Sequence, residues 1–339
     1  MNRQIVARAP GKLFLLGEYA VLDGCPAVVA AVGGYVEVSI QIAGPPGTVS
    51  IQAPPHAPAT TFSPGEPLPL CGPLRFALAA IRATMPFRRP GIRLDISSRL
   101  SGPDGTTLGL GSSAAVTVAV VAGMTAAGGA DPAVPMWRKK SVLTLALGAH
   151  RAAQDGLGSG ADVAASVYGG VIRFAPGNGS LPTVTPLTLP SDTILLAGWT
   201  GEPASTQGLV RHYRAAAARA PAVQHAFAKT SRACVDRFVQ GLSDRSLPLD
   251  PVTANGDALE SLGRQLDLPL MTNPLHRLVT VAREHGAGAK VSGAGGGDCG
   301  IALTRDLAVA ERIRSAWRSI GITPLDLAIE RKGVTLAYT

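Results

Sequence analysis

Two glycine-rich segments, far apart in the chain, contain residue types that hold phosphate groups. The first is Gly109-Leu110-Gly111-Ser112-Ser113-Ala114-Ala115, followed by an apolar stretch typical of a buried helix. The second runs from Ser292 to Gly300 and contains five glycines. Glycine lets a bulky group approach the backbone N–H donors, and a helix N-terminus favours an anion. The two segments therefore predict one phosphate-handling enzyme site, built from distant parts of the chain.

A lysine and an aspartate beside further glycines extend this chemistry. Lys12 precedes the apolar run Leu13–Leu16, and Asp162 follows Gly158-Ser159-Gly160 just before an apolar helix start. Each residue also has an ordinary structural explanation. Lys12 could extend its ammonium to the surface or form a salt bridge, and Asp162 could simply cap the helix. Together with the Ser113 hydroxyl they supply a cation, a carboxylate and a hydroxyl. Phosphoryl transfer uses such groups, because positioning and charge neutralisation do most of its catalysis.

The first glycine segment also matches a dinucleotide fingerprint, through Gly109, Gly111 and Ala114. That fingerprint requires a strand before it and an acidic residue about 20 positions later. Here residues 101–105 resemble a turn, and Asp131 lies in loop-like sequence. No Gly-Lys-Ser/Thr follows, which argues against a P-loop. Two alternatives remain for this segment. The protein could be a nicotinamide-dependent dehydrogenase, or the segment could be a helix start whose small residues serve only close packing.

The composition is that of a globular chain. Its 339 residues suffice for two domains or one large one, and 46% of them are apolar against 16% charged. No apolar run reaches the roughly 18 to 20 residues that span a bilayer, and the N-terminus has no signal-peptide core. The four cysteines lie far apart, without zinc-type spacing. We therefore expect a cytoplasmic protein without a membrane partner.

The net charge of +8 does not indicate a nucleic-acid surface. The densest basic run is only Arg138-Lys139-Lys140, and aromatic residues make up 4% of the chain. Nucleic-acid surfaces combine a basic stripe with stacking aromatic residues. Scattered surface charge, or an acidic small-molecule substrate, explains the balance better. We expect no nucleic-acid partner, and the oligomeric state stays open.

Strand and helix patterns intermix throughout the chain, which predicts an α+β fold. Strands are expected at residues 5–9, ending at the turn signal Pro10-Gly11, and at 36–40 and 194–199. Helices are expected near residues 77–84, 113–127, 139–154, 205–220, 223–241, 273–285 and 307–320. The proline-rich residues 42–73 predict an irregular excursion or an edge hairpin. A domain change near residue 190 divides the chain into an N-terminal domain, 1–190, and a C-terminal domain, 191–339.

Three motifs, in order, resemble those of the superfamily of galactokinase, homoserine kinase, mevalonate kinase and phosphomevalonate kinase, the GHMP kinases. They are Pro-Gly-Lys-x5-Glu-Tyr at residues 10–19, the Gly-Leu-Gly-Ser-Ser loop and Ser-Gly-Ala-Gly-Gly-Gly at 292–297. The similarity is greatest to the phosphomevalonate kinase branch, through Gly198-Trp199-Thr200 and Asp298. Mevalonate kinases typically have histidine after the Gly-Glu pair and glycine in place of Asp298. The resemblance implies a two-domain GHMP-kinase-like fold with its active site in the inter-domain cleft.

The resemblance also implies roles for individual residues. Lys12 and Asp162 would be catalytic and face the acceptor, with Asp162 either removing a proton or orienting the reacting group. The ATP phosphates would lie on Gly109, Gly111, Ser112, Ser113 and Ala114. Ser113 would also ligate the Mg²⁺ that accompanies ATP. The acceptor and its phosphates would contact Tyr19, Ser159, Lys290, Ser292, Gly293, Gly295 and Asp298.

One departure from the family pattern concerns the metal. Mevalonate kinases have a magnesium-binding glutamate eleven positions before the aspartate, where this chain has Arg151. An acceptor that already bears a phosphate needs more cations, so Arg151, Lys290 and His150 are candidates to bind it. Solvent exposure of Arg151, late in a helix, is the alternative. The expected reaction is the phosphorylation by ATP of a small phosphorylated acid, (R)-5-phosphomevalonate; a mevalonate kinase, a kinase of another small alcohol and a catalytically silent nucleotide-binding regulator are the alternatives.

Overall fold

The computed structural model of the protein describes residues 4–84, 91–102, 104–127, 135–177 and 179–338. The strands are β1 (Gln4–Leu16), β2 (Ala27–Ile42), β3 (Val49–Ala53), β4 (Ala57–Phe62), β5 (Ile92–Ser98), β6 (Val171–Ala175), β7 (Thr183–Leu187), β8 (Ile194–Trp199), β9 (Gly288–Ser292), β10 (Cys299–Thr304), β11 (Thr323–Leu325) and β12 (Thr335–Tyr338). The helices are α1 (Arg75–Thr84), α2 (Ser112–Ala127), α3 (Pro135–Ala153), α4 (Ala161–Tyr168), α5 (Thr206–Arg219), α6 (Pro221–Ser243), α7 (Asp250–Leu266), α8 (Asn273–Glu284) and α9 (Leu307–Ser319).

The larger sheet of the described ranges has the strand order β12-β1-β2-β5-β3-β4, with β6 paired to β2 and β7 paired to β6. The predicted turn at Pro10-Gly11 is wrong, because β1 continues to Leu16 with a register shift against β2 at that dipeptide. Proline has no N–H to donate to the ladder. A Cβ at Gly11 would lie 2.7 Å from the Leu100 side chain. These two residues therefore form an irregularity within a strand, and the strand carries Lys12 onward to the site.

Helix α2 packs across the larger sheet. It starts at Ser112, one residue before the predicted start, and its interior residues Val118–Val121 are wholly buried. A helix that is apolar on every side must be covered on every side. Here β1, β2 and the helices α1, α3 and α4 surround it. The burial predicted from the sequence is confirmed, and it fixes the start of α2 at the edge of the core.

The smaller sheet has the order β11-β8-β10-β9 and is antiparallel. Trp317 of α9 is wholly buried against this sheet, and its indole N–H donates to the carbonyl of Leu278 in α8 at 2.9 Å. The sheet and these two helices support the loop between β9 and β10, which is the second glycine segment.

The α+β class is confirmed, since helices mix with mainly antiparallel strands in both halves. The proline-rich segment contains the hairpin β3–β4, and β4 ends the sheet order, as expected for an edge hairpin. Helix α7 was not predicted. The boundary near residue 190 falls between β7 and β8, that is between the two sheets, although β12 returns to pair with β1. The division into 1–190 and 191–339 stays a prediction.

Candidate active site

The first glycine loop lies directly before α2 and exposes its N-terminus. Gly109 and Gly111 have φ angles of +70° and +78°, a region that favours glycine. Because α2 begins at Ser112, the N–H groups of its first turn lack partners within the helix. They lie at the edge of a cleft of about 430 Å³, which this loop helps to line. The arrangement is suited to bind phosphate.

Lys12 is fastened to this loop by two hydrogen bonds. Its backbone N–H donates to the carbonyl of Leu110 at 2.8 Å, and its Nζ donates to the carbonyl of Gly109 at 2.9 Å. Its stem crosses Gly111, where a Cβ would lie 2.8 Å from Cγ of the lysine. The side chain is 9% exposed, and it lines the cleft. The ammonium is therefore held at a fixed place beside the phosphate-binding backbone, with further donors available.

Asp162 enters the cleft from the first turn of α4. Gly160 precedes this helix with a φ angle of +85°. The Oδ1 atom of Asp162 accepts from the N–H of Val163 at 2.9 Å, and Oδ2 lies 3.9 Å from Nε2 of His150. The carboxylate is 22% exposed, so it can meet a ligand in the cleft. The structure thus brings Lys12 and Asp162 to the same cleft, as the sequence predicted.

His150 lies behind the cleft, between Ser113, which is expected to ligate the metal, and Asp162, which is expected to face the acceptor. Its Nε2 is 3.3 Å from Oγ of Ser113, and its ring stacks on Phe76 with centroids 5.2 Å apart. Burial lowers the pKa of His150, and the nearby Asp162 carboxylate opposes that shift. The imidazole connects Ser113 to Asp162, but it does not line the cleft itself.

Arg151, which occupies the position of the family's metal-binding glutamate, does not line the cleft. An α-helix advances about 100° per residue, so neighbouring positions 150 and 151 face different directions. His150 is the residue of α3 that contacts Ser113, whereas Arg151 is exposed and lines a second, adjoining cavity. The rotation of α3 is set by packing, including the stacking of His150 on Phe76, so a position counted from the family pattern does not show which side chain faces Ser113.

The second glycine loop meets the first one across the cleft. A Cβ on Gly109 would lie 2.5 Å from Cβ of Asp298, so only glycine allows this approach. Oδ1 of Asp298 accepts from the N–H of Ala204 at 3.2 Å, and burial raises the pKa of its carboxyl. The thiol of the next residue, Cys299, contacts the carbonyl of Leu108 at 3.0 Å. Both loops therefore line one cleft, and that they form one phosphate-handling site stays a prediction.

Two other residues predicted to bind substrate also lie on the cleft wall. Tyr19 donates from its hydroxyl to the carbonyl of Ala294 at 2.6 Å and packs edge-to-face on Tyr213. Burial raises its pKa, so the hydroxyl stays protonated and can donate. Ser159 also lines the cleft, and its Oγ accepts from the N–H of Ala161 at 3.3 Å.

Besides His150 and Arg151, three more of the predicted substrate residues do not line the cleft. The Lys290 side chain is wholly buried and paired with Glu18. Ser292 donates to the carbonyl of Phe14 at 3.0 Å, also below the surface. A Cβ on Gly295 would collide with the backbone of Leu270 rather than face a ligand. These residues brace the second glycine loop, and the residues of that loop that line the cleft are Gly293, Ala294 and Asp298.

Sequence reasoning missed Arg75 and Phe76, which line the cleft near the first glycine loop. Arg75 starts α1, and its guanidinium lies 4.7 Å from the Phe76 ring centroid. The predicted start of this helix was two residues late, so both residues fell between the proline-rich segment 42–73 and the predicted helix. An arginine directly before an amphipathic helix was the available signal.

The chemistry of the donors fits a magnesium ion bound together with a nucleotide. Ser113 and Asp162 each have an oxygen within 4 Å of the same imidazole nitrogen, at 3.3 and 3.9 Å. Mg²⁺ is usually held by one or two carboxylates and by substrate phosphates, and it keeps several waters. Within the described ranges, no group of three or more His, Cys, Asp or Glu residues could hold a metal. The ion would therefore depend on phosphate oxygens for much of its coordination.

Comparison with known proteins agrees with this geometry. The family model for the N-terminal domain of GHMP kinases matches residues 74–170, and the model for the GHMP kinase C-terminal region matches residues 249–323. Phosphomevalonate kinase of Streptomyces sp. (strain CL190) is 33% identical, with 98% of this chain and 99% of the relative covered. Mevalonate kinase of Pyrococcus horikoshii is 28% identical, with 99% and 98% covered.

A solved structure has the same fold. Streptococcus pneumoniae phosphomevalonate kinase, in complex with phosphomevalonate and AMPPNP, aligns with a TM-score of 0.79 at 22% identity, covering 95% of this chain and 99% of the other. The chain belongs to the GHMP kinase family. It is a kinase, and this assignment replaces the dinucleotide-binding alternative. Among the described residues, no helix is both long and apolar enough to cross a membrane.

Proposed function

We propose that the protein transfers the γ-phosphoryl group of ATP to (R)-5-phosphomevalonate and forms (R)-5-diphosphomevalonate. The observation that carries this proposal is the single cleft in which Lys12, Asp162 and both glycine loops meet. The full-length similarity to the Streptomyces phosphomevalonate kinase supports the choice of acceptor. Arg75 adds a cation to the same cleft, as an acceptor with two anionic ends requires.

The nucleophile in this reaction is an oxygen of the acceptor's phosphate. It forms a bond to the γ-phosphorus of ATP, while the bond from that phosphorus to the β–γ bridging oxygen breaks, and ADP leaves with the electron pair. The second pKa of a phosphate monoester is about 6, so the attacking oxygen is mostly ionised at neutral pH. No proton has to be removed, and Asp162 acts by positioning. With mevalonate as acceptor, Asp162 would instead have to accept a hydroxyl proton.

Lys12 reduces the repulsion between the two phosphates that react. Two anionic groups must come within bonding distance, and the fixed ammonium at the first glycine loop stabilises the charge between them. The free N–H groups at the start of α2 hold the ATP phosphates. Ser113 and Asp162 would ligate the Mg²⁺ that accompanies ATP, and the ion would supply further neutralisation of the phosphate charge.

The test is ADP release from Mg·ATP by the purified protein, with 5-phosphomevalonate and mevalonate compared as acceptors. We expect kcat/KM to be larger by orders of magnitude for the phosphorylated acceptor. Phosphorus NMR of the product should then show the two coupled resonances of a diphosphate. Asp162→Asn in the same assay controls for a contaminating kinase.

Each other outcome has a definite meaning. Faster turnover of mevalonate would keep the kinase and overturn the acceptor. Silence with both acceptors, together with tight ATP binding, would favour a kinase of another small alcohol or a catalytically silent regulator.

A further inference from the structure

A second cavity adjoins the cleft beside α3 and α5, and we call it the side cavity. Its volume is about 430 Å³. Val21, Leu22, Gly158 and Ser159 line both the side cavity and the cleft. These shared residues include part of the turn between α3 and α4, so the two spaces meet at that turn. A ligand bound in the cleft can therefore extend into the side cavity.

The side cavity is lined by unpaired positive charge. Arg151 and Arg214 line it, and no aspartate or glutamate does so among the described residues. Asp155, in the adjacent turn, is 73% exposed and pairs instead with Arg211 at 2.7 Å. Within the part of the chain that the structure describes, the Arg151 side chain has neither a hydrogen bond nor an ion pair. A cavity lined by arginines without carboxylate partners attracts an anion.

Arg214 is already oriented towards the turn that the cleft and the side cavity share. Its Nη2 donates to the carbonyl of Leu157 at 3.3 Å, which ties the guanidinium to the residue before Gly158. An anchored guanidinium loses less rotational freedom when it binds a ligand than a free one does. Its remaining N–H donors can form the paired hydrogen bonds that arginine makes with a carboxylate.

The proposed reaction determines which end of the acceptor can reach these arginines. The acceptor's phosphate is the nucleophile, so it must lie next to Lys12 and the first glycine loop. The sequence-based expectation that Arg151 binds this phosphate therefore does not fit the reaction. The other anionic group of the acceptor is its carboxylate, at the opposite end of the carbon chain. That end points away from the first glycine loop.

We infer that Arg151 and Arg214 bind the carboxylate of the acceptor in the side cavity. This inference rests on the proposed function, because it needs an acceptor with a reacting phosphate at one end and a carboxylate at the other. Val21 and Leu22, which line both spaces, pack against the carbon atoms between the two anionic groups. The arginines thus select small acids of the correct length and do not touch the reacting atoms.

The test compares the variants Arg151→Gln, Arg214→Gln and their combination with wild type. We expect the KM for 5-phosphomevalonate to rise about 10- to 100-fold in each single variant, the range of a hydrogen bond to a charged group. The KM for ATP should stay within about twofold, because no residue of the first glycine loop, where the ATP phosphates are proposed to lie, lines the side cavity. Arg219→Gln is the matched control, since it removes the same charge from an exposed position on α5 outside the side cavity.

A second acceptor distinguishes carboxylate binding from a general effect of charge. The carboxamide analogue of 5-phosphomevalonate keeps the reacting phosphate and lacks the distal charge. Wild type should bind the carboxamide about as weakly as the double variant binds 5-phosphomevalonate. The double variant should bind the carboxamide only slightly more weakly than it binds 5-phosphomevalonate, as expected for coupled groups in a double-mutant cycle.

An unchanged KM for 5-phosphomevalonate in both single variants would overturn the inference. If wild type still turns over 5-phosphomevalonate in that experiment, the proposed function is not affected. An equal loss with the carboxamide and the natural acceptor in the variants would also overturn it. A wild type that does not use 5-phosphomevalonate would overturn the inference and the proposed function together.

Discussion

Removing one partner of the Glu18–Lys290 ion pair should destabilise the whole protein. The two side chains are 2% and 0% exposed, which is rare for charged groups. Lys290 also donates to the carbonyl of Val291 at 2.6 Å, and Oε1 of Glu18 lies 3.4 Å from the N–H of Gly293. Burial lowers the pKa of Lys290, and the Glu18 carboxylate opposes that shift. The pair joins the segment after β1 to β9, and so connects the two sheets.

Lys290→Met keeps most of the side-chain volume and leaves the Glu18 carboxylate buried without its cation. Breaking a buried pair in this way costs about 3–5 kcal/mol. The free energy of unfolding of a typical domain is about 5–15 kcal/mol, so the loss would be a large fraction of it. Glu18→Gln should cost a similar amount, because it leaves the ammonium buried. The double variant removes both charges, and its cost should be smaller than the sum of the single costs by about 1–3 kcal/mol.

Urea unfolding followed by far-UV circular dichroism measures these free energies. Arg211→Gln is the control, because it breaks an ion pair whose partners are 56% and 73% exposed. Exposed pairs contribute about 0–1 kcal/mol, so its midpoint should hardly move. A loss below about 1 kcal/mol for Lys290→Met, or strictly additive single and double variants, would refute the reasoning from burial.

Three further predictions concern the cleft. Lys12→Met and Asp162→Asn should each lower kcat by about 10²-fold or more, because they remove charges fixed at the reacting phosphates; near-normal turnover in a folded variant would remove that residue from the site. Gly109→Ala should raise the KM for ATP, because its Cβ would lie 2.5 Å from Asp298 and its φ angle is +70°; unchanged ATP kinetics would contradict the contact between the loops. Asp298→Asn should stabilise the fold more at pH 7 than at pH 4. Burial raises the pKa of this carboxyl, so its ionised form costs stability once the pH passes the unfolded pKa of about 3.9; a stability difference independent of pH, measured by thermal unfolding, would contradict this.

The sequence predicted the parts of the site that depend on local patterns. The glycine and serine pattern located the first loop and the start of α2 to within one residue. The five glycines of the second segment indicated close approach, and a Cβ on Gly295 or Gly297 would lie 2.3 Å or 2.5 Å from the carbonyl oxygen of Leu270 or Glu202, respectively. Backbone freedom is a property of the glycine itself, so a sequence shows it directly.

The errors concern properties that arise only from distant partners. Lys290 is next to a glycine-rich motif, yet its partner Glu18 lies 272 positions earlier in the chain. No local pattern shows that a lysine is neutralised in this way. The different surroundings of His150 and Arg151, which the sequence gave as equal candidates, likewise depend on the rotation of α3, which packing determines. The strand β1 continued past Pro10-Gly11 because pairing with β2 outweighed the local turn signal.

The contacts of the second glycine loop make it a fixed wall of the cleft. Tyr19 bonds to its Ala294 carbonyl, Ser292 to the end of β1 and Cys299 to the carbonyl of Leu108, while the Glu18–Lys290 pair lies beneath it. Breaking these buried contacts to open the loop would leave polar groups unsatisfied. The 156–160 turn is held instead by exposed contacts, the Arg211–Asp155 pair and the hydrogen bond from Arg214 to Leu157, and Arg151 lies beside it in the side cavity. The second glycine loop is thus held in place by the fold. Discrimination among acceptors is expected to depend on the arginines of the side cavity, where charge can be changed without disturbing the two glycine loops.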